Sequence, residues 1–228
     1  MTSQSRTPVE ARCAEAITEL DQSPYTSLSV HGFAPADPSH RDREFAFSDI
    51  HEKSGVNLDD ATRAYFFPND EIHVAWRSTT GPLIVGEFCL MNIHRSLTGA
   101  IIPPEDWTLE SEEEDILGDL YIIDSTPHGG TGNVAGLYVT PQGGLEVWYY
   151  DMGLHRLEQL DLDYRGYVDA ALVTKGTSGW QYLFADIRFS SDELHTTAAD
   201  LNVMLETFPE VFPSHEYQPL HVRFEERL

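Results

Sequence analysis

The sequence predicts an α+β fold, an antiparallel β-meander sheet packed with N- and C-terminal helices. Three observations predict it. The middle of the chain holds short β-rich runs at residues 120–124, 134–139 and 145–150, joined by the Gly-rich connections H-G-G-T-G and P-Q-G-G. Short strands joined in this way pair antiparallel. Both flanks carry apolar residues at helical spacing, and no regular β-α-β alternation points to a doubly wound parallel sheet.

Each element follows from its own residues. Residues 8–20 read as a first helix, because Ala11, Ala14, Ile17 and Leu20 recur at helical intervals. Loops rich in Pro, Gly, Ser and charge follow, with one strand expected at 27–30. A second helix is expected near 47–53. A third spans 59–67, capped by Asn57 or Asp59 and ended by Pro68. Residues 72–77 and 83–91 read as strands around the turn T-T-G-P at 79–82. After the meander, residues 160–173 set Tyr164, Tyr167, Val168, Ala171 and Leu172 on one helical side, with Gly176 and Gly179 punctuating the end. A last helix over 192–208 carries Leu194, Leu201, Met204, Leu205 and Phe208. In V-W-Y-Y-D at 147–151, strand periodicity puts Trp148 and Tyr150 on one face and Tyr149 on the other. Residues 1–45 read as an N-terminal helix and loop extension of the same domain, and 46–228 as its body.

Charge bounds the function. The chain has 38 Asp+Glu against 14 Lys+Arg, a formal net charge of −24 in 228 residues. Phosphate binding needs clustered Lys and Arg, so a general nucleic-acid binder is ruled out, and a peripheral role on an anionic membrane is disfavoured. Such a charge keeps a protein soluble and steers it onto basic partners. It opposes self-association, whereas an apolar edge strand would favour it. A hydrophobic fraction of 41% supplies a sizeable core. Cys13 and Cys89 lie far apart and form neither a disulfide framework nor a metal-binding spacing. The first residues, MTSQSRTPVE, lack a basic and then apolar leader, so a cytoplasmic setting is expected.

Chemistry-bearing motifs are few. G-T-G-N-V-A at 130–135 matches a dinucleotide fingerprint, but strand formers follow where that fingerprint needs a helix. It reads as a turn between strands. The ten histidines show no metal-binding spacing. A site assembled in three dimensions, for example His94 with His128 and Asp124, is one reading; scattered hydrogen-bonded histidines are the preferred one. No nucleophile elbow or cysteine motif is present. Neither a metal nor a cofactor is expected.

The sharpest charge feature is the run Glu110, Glu112, Glu113, Glu114 and Asp115, next to Trp107. Two readings stand. The run is a solvated loop and Trp107 a core residue, or together they face a basic partner, with an aromatic anchor ringed by charge.

Several stretches resemble the SMI1/KNR4 (SUKH) superfamily. They are the helix after a G-V-x-L element in SGVNLDDATRAYFF, the strand GDLYIID, and a Trp/Tyr-rich strand ending at Asp151. The helix pattern L-x-x-Y-x-x-Y-V-x-x-x-L and the tail F-P-x-x-F-P complete the order. The resemblance covers roughly residues 46–213. It implies a non-enzymatic binding protein. Bacterial members of the superfamily are mostly immunity proteins that neutralise toxins, many of which carry basic clefts. On this reading Trp107 and the acidic run bind a basic toxin domain. The alternatives are a regulatory scaffold of the same superfamily and a hydrolase using His and Asp brought together by the fold. A DNA mimic is disfavoured by the aromatic and Gly-rich content.

Overall fold

The computed structural model describes residues 6–35, 42–99 and 111–228. Helices surround two antiparallel sheets, so the α+β class holds. The strands do not form one meander. A three-stranded sheet of β1 (Thr26–Pro35), β2 (Asn69–Ser78) and β3 (Val85–Met91) precedes a four-stranded sheet of β4 (Tyr121–Ser125), β5 (Val134–Val139), β6 (Leu145–Asp151) and β7 (Arg156–Leu160).

The first helix, α1 (Pro8–Gln22), begins with a capping box. Thr7 accepts from the Glu10 amide, and Glu10 Oε2 accepts from the Thr7 amide at 2.7 Å. Its Val9, Cys13, Ala16 and Leu20 enter the main core. β1 then pairs along β2 from Thr26↔Ser78 to Pro35↔Asn69, with a bulge at Leu28/Val30. The boundary expected at residue 46 falls inside α2 (Arg43–Ser54), and the segment before it shares the core of the rest.

The third helix is shorter than its pattern predicts. Asp59 caps α3 (Asp60–Arg63) by accepting from the Thr62 amide at 2.6 Å. The chain then leaves helical geometry so that Phe66 and Phe67 reach the core before Pro68. Burying each such ring contributes roughly 1.5–3 kcal/mol, more than the last helical turn would. β3 leads into α4 (Ile93–Thr98), capped by Asn92.

The acidic run does not lie in a loop. Its described members, Glu112 to Asp115, fall on α5 (Ser111–Gly118), where Glu is a good helix former and negative charge suits the N-terminal half of a helix. Leu117 anchors α5 in a small cluster with Leu120, Tyr150 and Leu157 on one face of the four-stranded sheet. The opposite face carries Ile123, Leu137, Val147 and Tyr149 into the main core. Trp148 and Tyr150 therefore do share one face, with Tyr149 on the other.

The helix expected from residue 160 starts later, as α6 (Tyr164–Val173), capped by Asp163. Leu160 belongs instead to β7, an edge strand with only two apolar side chains in R-L-E-Q-L. After α6, Lys175 (φ 54°) and Gly176 (φ 66°) both adopt left-handed backbone. A Cβ on Gly176 would meet the Glu87 carbonyl oxygen at 2.5 Å, so only glycine lets this turn lie against β3. A one-and-a-half-turn 3₁₀ segment over Trp180–Phe184 is wholly buried. Helix α7 (His195–Val211), after a 3₁₀ turn over Asp192–Leu194, covers most of the helix expected over 192–208, but it is not the last, and the unforeseen α8 (Gln218–Glu225) adds Leu220 and Phe224 to the core.

Candidate functional site

Trp107 and Glu110 lie outside the described residues. Glu112 sits on the backbone of α5; Glu114 and Asp115 are exposed there, and Glu113 is half-buried. The run thus presents charge on a short helix, and nothing in its described surroundings forms a concave site.

A different set of carboxylates does. A shallow groove of about 810 Å³ runs beside β7 and is lined by Glu146, Glu158, Asp161, Asp163 and Asp186, with Arg227 the one cation among its lining residues. Trp148, Leu157 and Phe184 add apolar surface to a lining that is otherwise largely polar. Local folding explains the clustering. Glu146 lies two residues from Trp148 on the same face of β6, whereas Glu158 pairs with Tyr149 and so belongs to the opposite face; both line the groove because β7 is the edge strand. Asp161 and Asp163 occupy the link from β7 to α6, and Asp186 follows the bridge Leu160↔Ala185. Three carboxylates already have arginine neighbours. Arg156 donates to Glu158 at 2.5 Å, Arg165 to Asp163 at 2.6 Å and Arg223 to Asp161 at 3.1 Å. Asp161 is 81% exposed, and solvent-screened pairs of this kind are worth under about 1 kcal/mol, so an incoming cation competes easily. Trp148 Nε1 donates to Glu146 Oε2 at 3.1 Å, which holds the indole across the groove floor.

On the other face of β6, Tyr149 lines a second and narrower cleft of about 290 Å³. It lies where the two sheets meet, between β3, the turn at residues 126–133 and the loop at residues 176–179. Glu87 builds one wall. Its carboxylate accepts from His73 Nε2 at 2.8 Å, from the His128 amide at 2.6 Å and from the Gly129 amide at 2.7 Å. Those bonds hold Glu87 below the usual carboxylate range despite its burial. The G-T-G-N-V-A segment is part of this wall and continues into β5, as a turn between strands should.

Behind the loop at 176–179, Lys175 is fully buried. Its Nζ reaches Glu19 Oε2 at 2.5 Å and His215 Nε2 at 2.9 Å, and it lies 5.3 Å over the Phe212 ring. Desolvation pushes the ammonium down; Glu19, though partly desolvated, is held at about 2 by His215, Lys175 and Ser214. This latch ties α1 to the segment after α7.

The alternative in which His94, His128 and Asp124 converge does not hold. His94 binds Asp49 Oδ2 at 2.8 Å, and the His128 side chain is at the cleft rim. Asp124 accepts from the Cys89 and Ser125 amides and from Tyr167 Oη. Among the described residues no three His, Cys, Asp or Glu side chains are placed to hold a metal ion. Burial pushes Asp124 up to about 7, but it is sealed in the core and one hydrogen-bonded residue behind the cleft. Gln181, on the cleft wall, donates to Tyr167 Oη at 3.4 Å, and Tyr167 donates to Asp124 at 2.7 Å. None of the described helices is long and apolar enough to cross a membrane.

Sequence reasoning missed the groove because its five carboxylates are spread from residue 146 to residue 186. The available signal was the alternation of acidic and apolar residues from Leu157 to Asp163. Compared with family models, with curated proteins and with solved structures, the chain matches none.

Proposed function

We propose that this protein is a non-enzymatic acidic binding module that captures and occludes a basic protein partner, in the manner of an immunity protein neutralising a toxin domain in the cytoplasm. The observation that carries the proposal is the groove beside β7. Five carboxylates and the Trp148 indole line one groove in a chain of net charge −24. Charge of one sign raises the rate of encounter with a basic surface, and a desolvated aromatic side chain supplies the anchoring area. Exposed α5, with Glu114 and Asp115, adds to the same long-range field.

The test compares the native chain with a variant carrying Asp161→Lys and Asp186→Lys, both at exposed positions. Each is tagged and used to capture partners from the host lysate at about 0.1 M and about 0.5 M salt, where the Debye length falls from about 10 Å to a few Å. The partner is then purified and titrated with each form, and its activity followed. A single basic partner, inhibited stoichiometrically by the native chain and bound at least tenfold more weakly by the variant, supports the proposal. A partner that binds both forms equally overturns the assignment to the groove, and the absence of any basic partner overturns the function.

A further inference from the structure

The cleft where the two sheets meet carries one feature that the capture of a basic partner does not use. Among the described basic residues, Arg77 alone has no carboxylate, carbonyl or ring partner. Its neighbours in sequence and space do not supply one, although the protein carries 38 acidic residues. In such a chain an unpaired guanidinium is a departure, because each of the other described Lys and Arg side chains has a carboxylate, a carbonyl or an aromatic ring beside it. Arg77 is exposed near the end of β2, opposite Val85 on β3, and both line the cleft.

The rest of the cleft suits a small ligand. Its volume of about 290 Å³ is at the lower end of the range for ligand pockets, about 300–1,000 Å³. Val85, 46% exposed and paired with Arg77 across the strands, forms an apolar lip beside it. The imidazole of His128 and the hydroxyl of Ser178 also open onto the cleft and make no side-chain hydrogen bond with a described residue. The walls are prebuilt. Glu87 clamps the turn at His128 and Gly129, the Glu87 amide donates to the Gly176 carbonyl at 2.8 Å, and the Ser178 amide donates to the Val85 carbonyl at 2.9 Å. Because both oxygens of Glu87 are engaged by these bonds, it is not the partner of an incoming cation. Of these groups the Arg77 guanidinium is a donor only and carries a fixed charge, the His128 imidazole and Ser178 hydroxyl can each donate as well as accept, and a planar guanidinium pairs best with carboxylate.

We propose that this cleft binds a carboxylate carried on a short, partly apolar body, with Arg77 as its charge partner and Val85 and Tyr149 against the apolar part. A free small acid and the C-terminal residue of a peptide share this chemistry. The overall charge of −24 repels such a ligand at long range, so recognition is a short-range event governed by Arg77.

The experiment uses the full chain, labelled with ¹⁵N, titrated with N-acetylglycine and N-acetyl-leucine, with the primary amide of each, and with a tripeptide ending in leucine as acid and as amide. The expected result is saturable shifts of the Gly129, Thr131, Gly176 and Gly179 amides with the acids, at least tenfold weaker binding of the amides, and loss of that preference in Arg77→Gln. Arg77→Lys should keep part of it. Position 77 is exposed and unpaired, so these variants fold, and their spectra away from the cleft check this. Tripeptide acid binding as well as N-acetyl-leucine identifies a peptide C-terminus; binding of the N-acetyl acids alone identifies a free small acid. No saturable shift at the cleft up to about 10 mM, a Kd weaker than any specific site of this size, overturns the proposal. Equal binding of acids and amides, or no effect of Arg77→Gln, also overturns it.

Discussion

Asp124 is a carboxyl group that the fold keeps protonated near neutrality, and replacing it with asparagine measures how strongly. It is 3% exposed. Its Oδ1 accepts from the Cys89 amide at 2.7 Å and the Ser125 amide at 2.9 Å, and its Oδ2 accepts from Tyr167 Oη at 2.7 Å. These bonds favour the ionised form, but desolvation outweighs them and pushes the group up to about 7 from an ordinary 3.8. A raised folded value has a definite sign. Stability is fully present below about pH 4 and is lost as pH rises to about 7, because the unfolded chain releases the proton first. The whole shift corresponds to about 4 kcal/mol at 1.36 kcal/mol per unit. Between about pH 5.5 and pH 8, where the protein is clear of its pI near 4.5, roughly 2 kcal/mol of it is lost. Asp124→Asn removes that loss. Its amide oxygen still accepts both backbone donors, but the Tyr167 hydroxyl loses its acceptor, at about 1–3 kcal/mol independent of pH. Urea unfolding of both proteins across this range should show the variant gaining about 2 kcal/mol on the native chain as pH rises. A constant difference at every pH would refute the reasoning, since it would mean that Asp124 ionises as it does in the unfolded chain.

Other consequences follow from single contacts. Glu19→Gln strands the buried Lys175 ammonium and should destabilise by about 3 kcal/mol or more, while adding Lys175→Met restores a large part of the loss; thermal unfolding of the single and double variants checks this. Gly176→Ala forces a Cβ against the Glu87 carbonyl at a φ of 66°, with an expected loss of at least about 2 kcal/mol in a urea titration. Burial pushes both Cys13 and Cys89 up to about 12, so a thiol reagent at pH 8 should label neither in the native protein and both in urea; fast native labelling of either would contradict the packing.

Local pattern carried much of the architecture. The position of α1, though not its buried face, which is Val9, Cys13, Ala16 and Leu20 rather than Ala11, Ala14 and Ile17, and the alternation that sends Tyr149 one way and Trp148 and Tyr150 the other, were legible because each depends on a periodicity within one segment. Where the reading failed, a tertiary contact outweighed a local one. Leu160 stands in helical register with Tyr164, yet the bridge to Ala185 makes it the end of β7. Tyr65, Phe66 and Phe67 continue the periodicity of α3, but the two phenylalanines enter the core by leaving the helix. The acidic run read as a loop for want of a visible partner, and Leu117 provides one by packing on Tyr150.

By itself, then, the sequence determined the α+β class, most helix and strand positions and the strong net acidity, because composition and periodicity are properties of short windows and sums. Only the tertiary structure decided that the strands divide into two sheets. It alone collected Glu146, Glu158, Asp161, Asp163 and Asp186 around one groove, and left Arg77 unpaired at the mouth of another cleft. Those outcomes depend on which distant segments meet, and that is set by burial and strand pairing across the whole chain rather than by any residue's immediate neighbours.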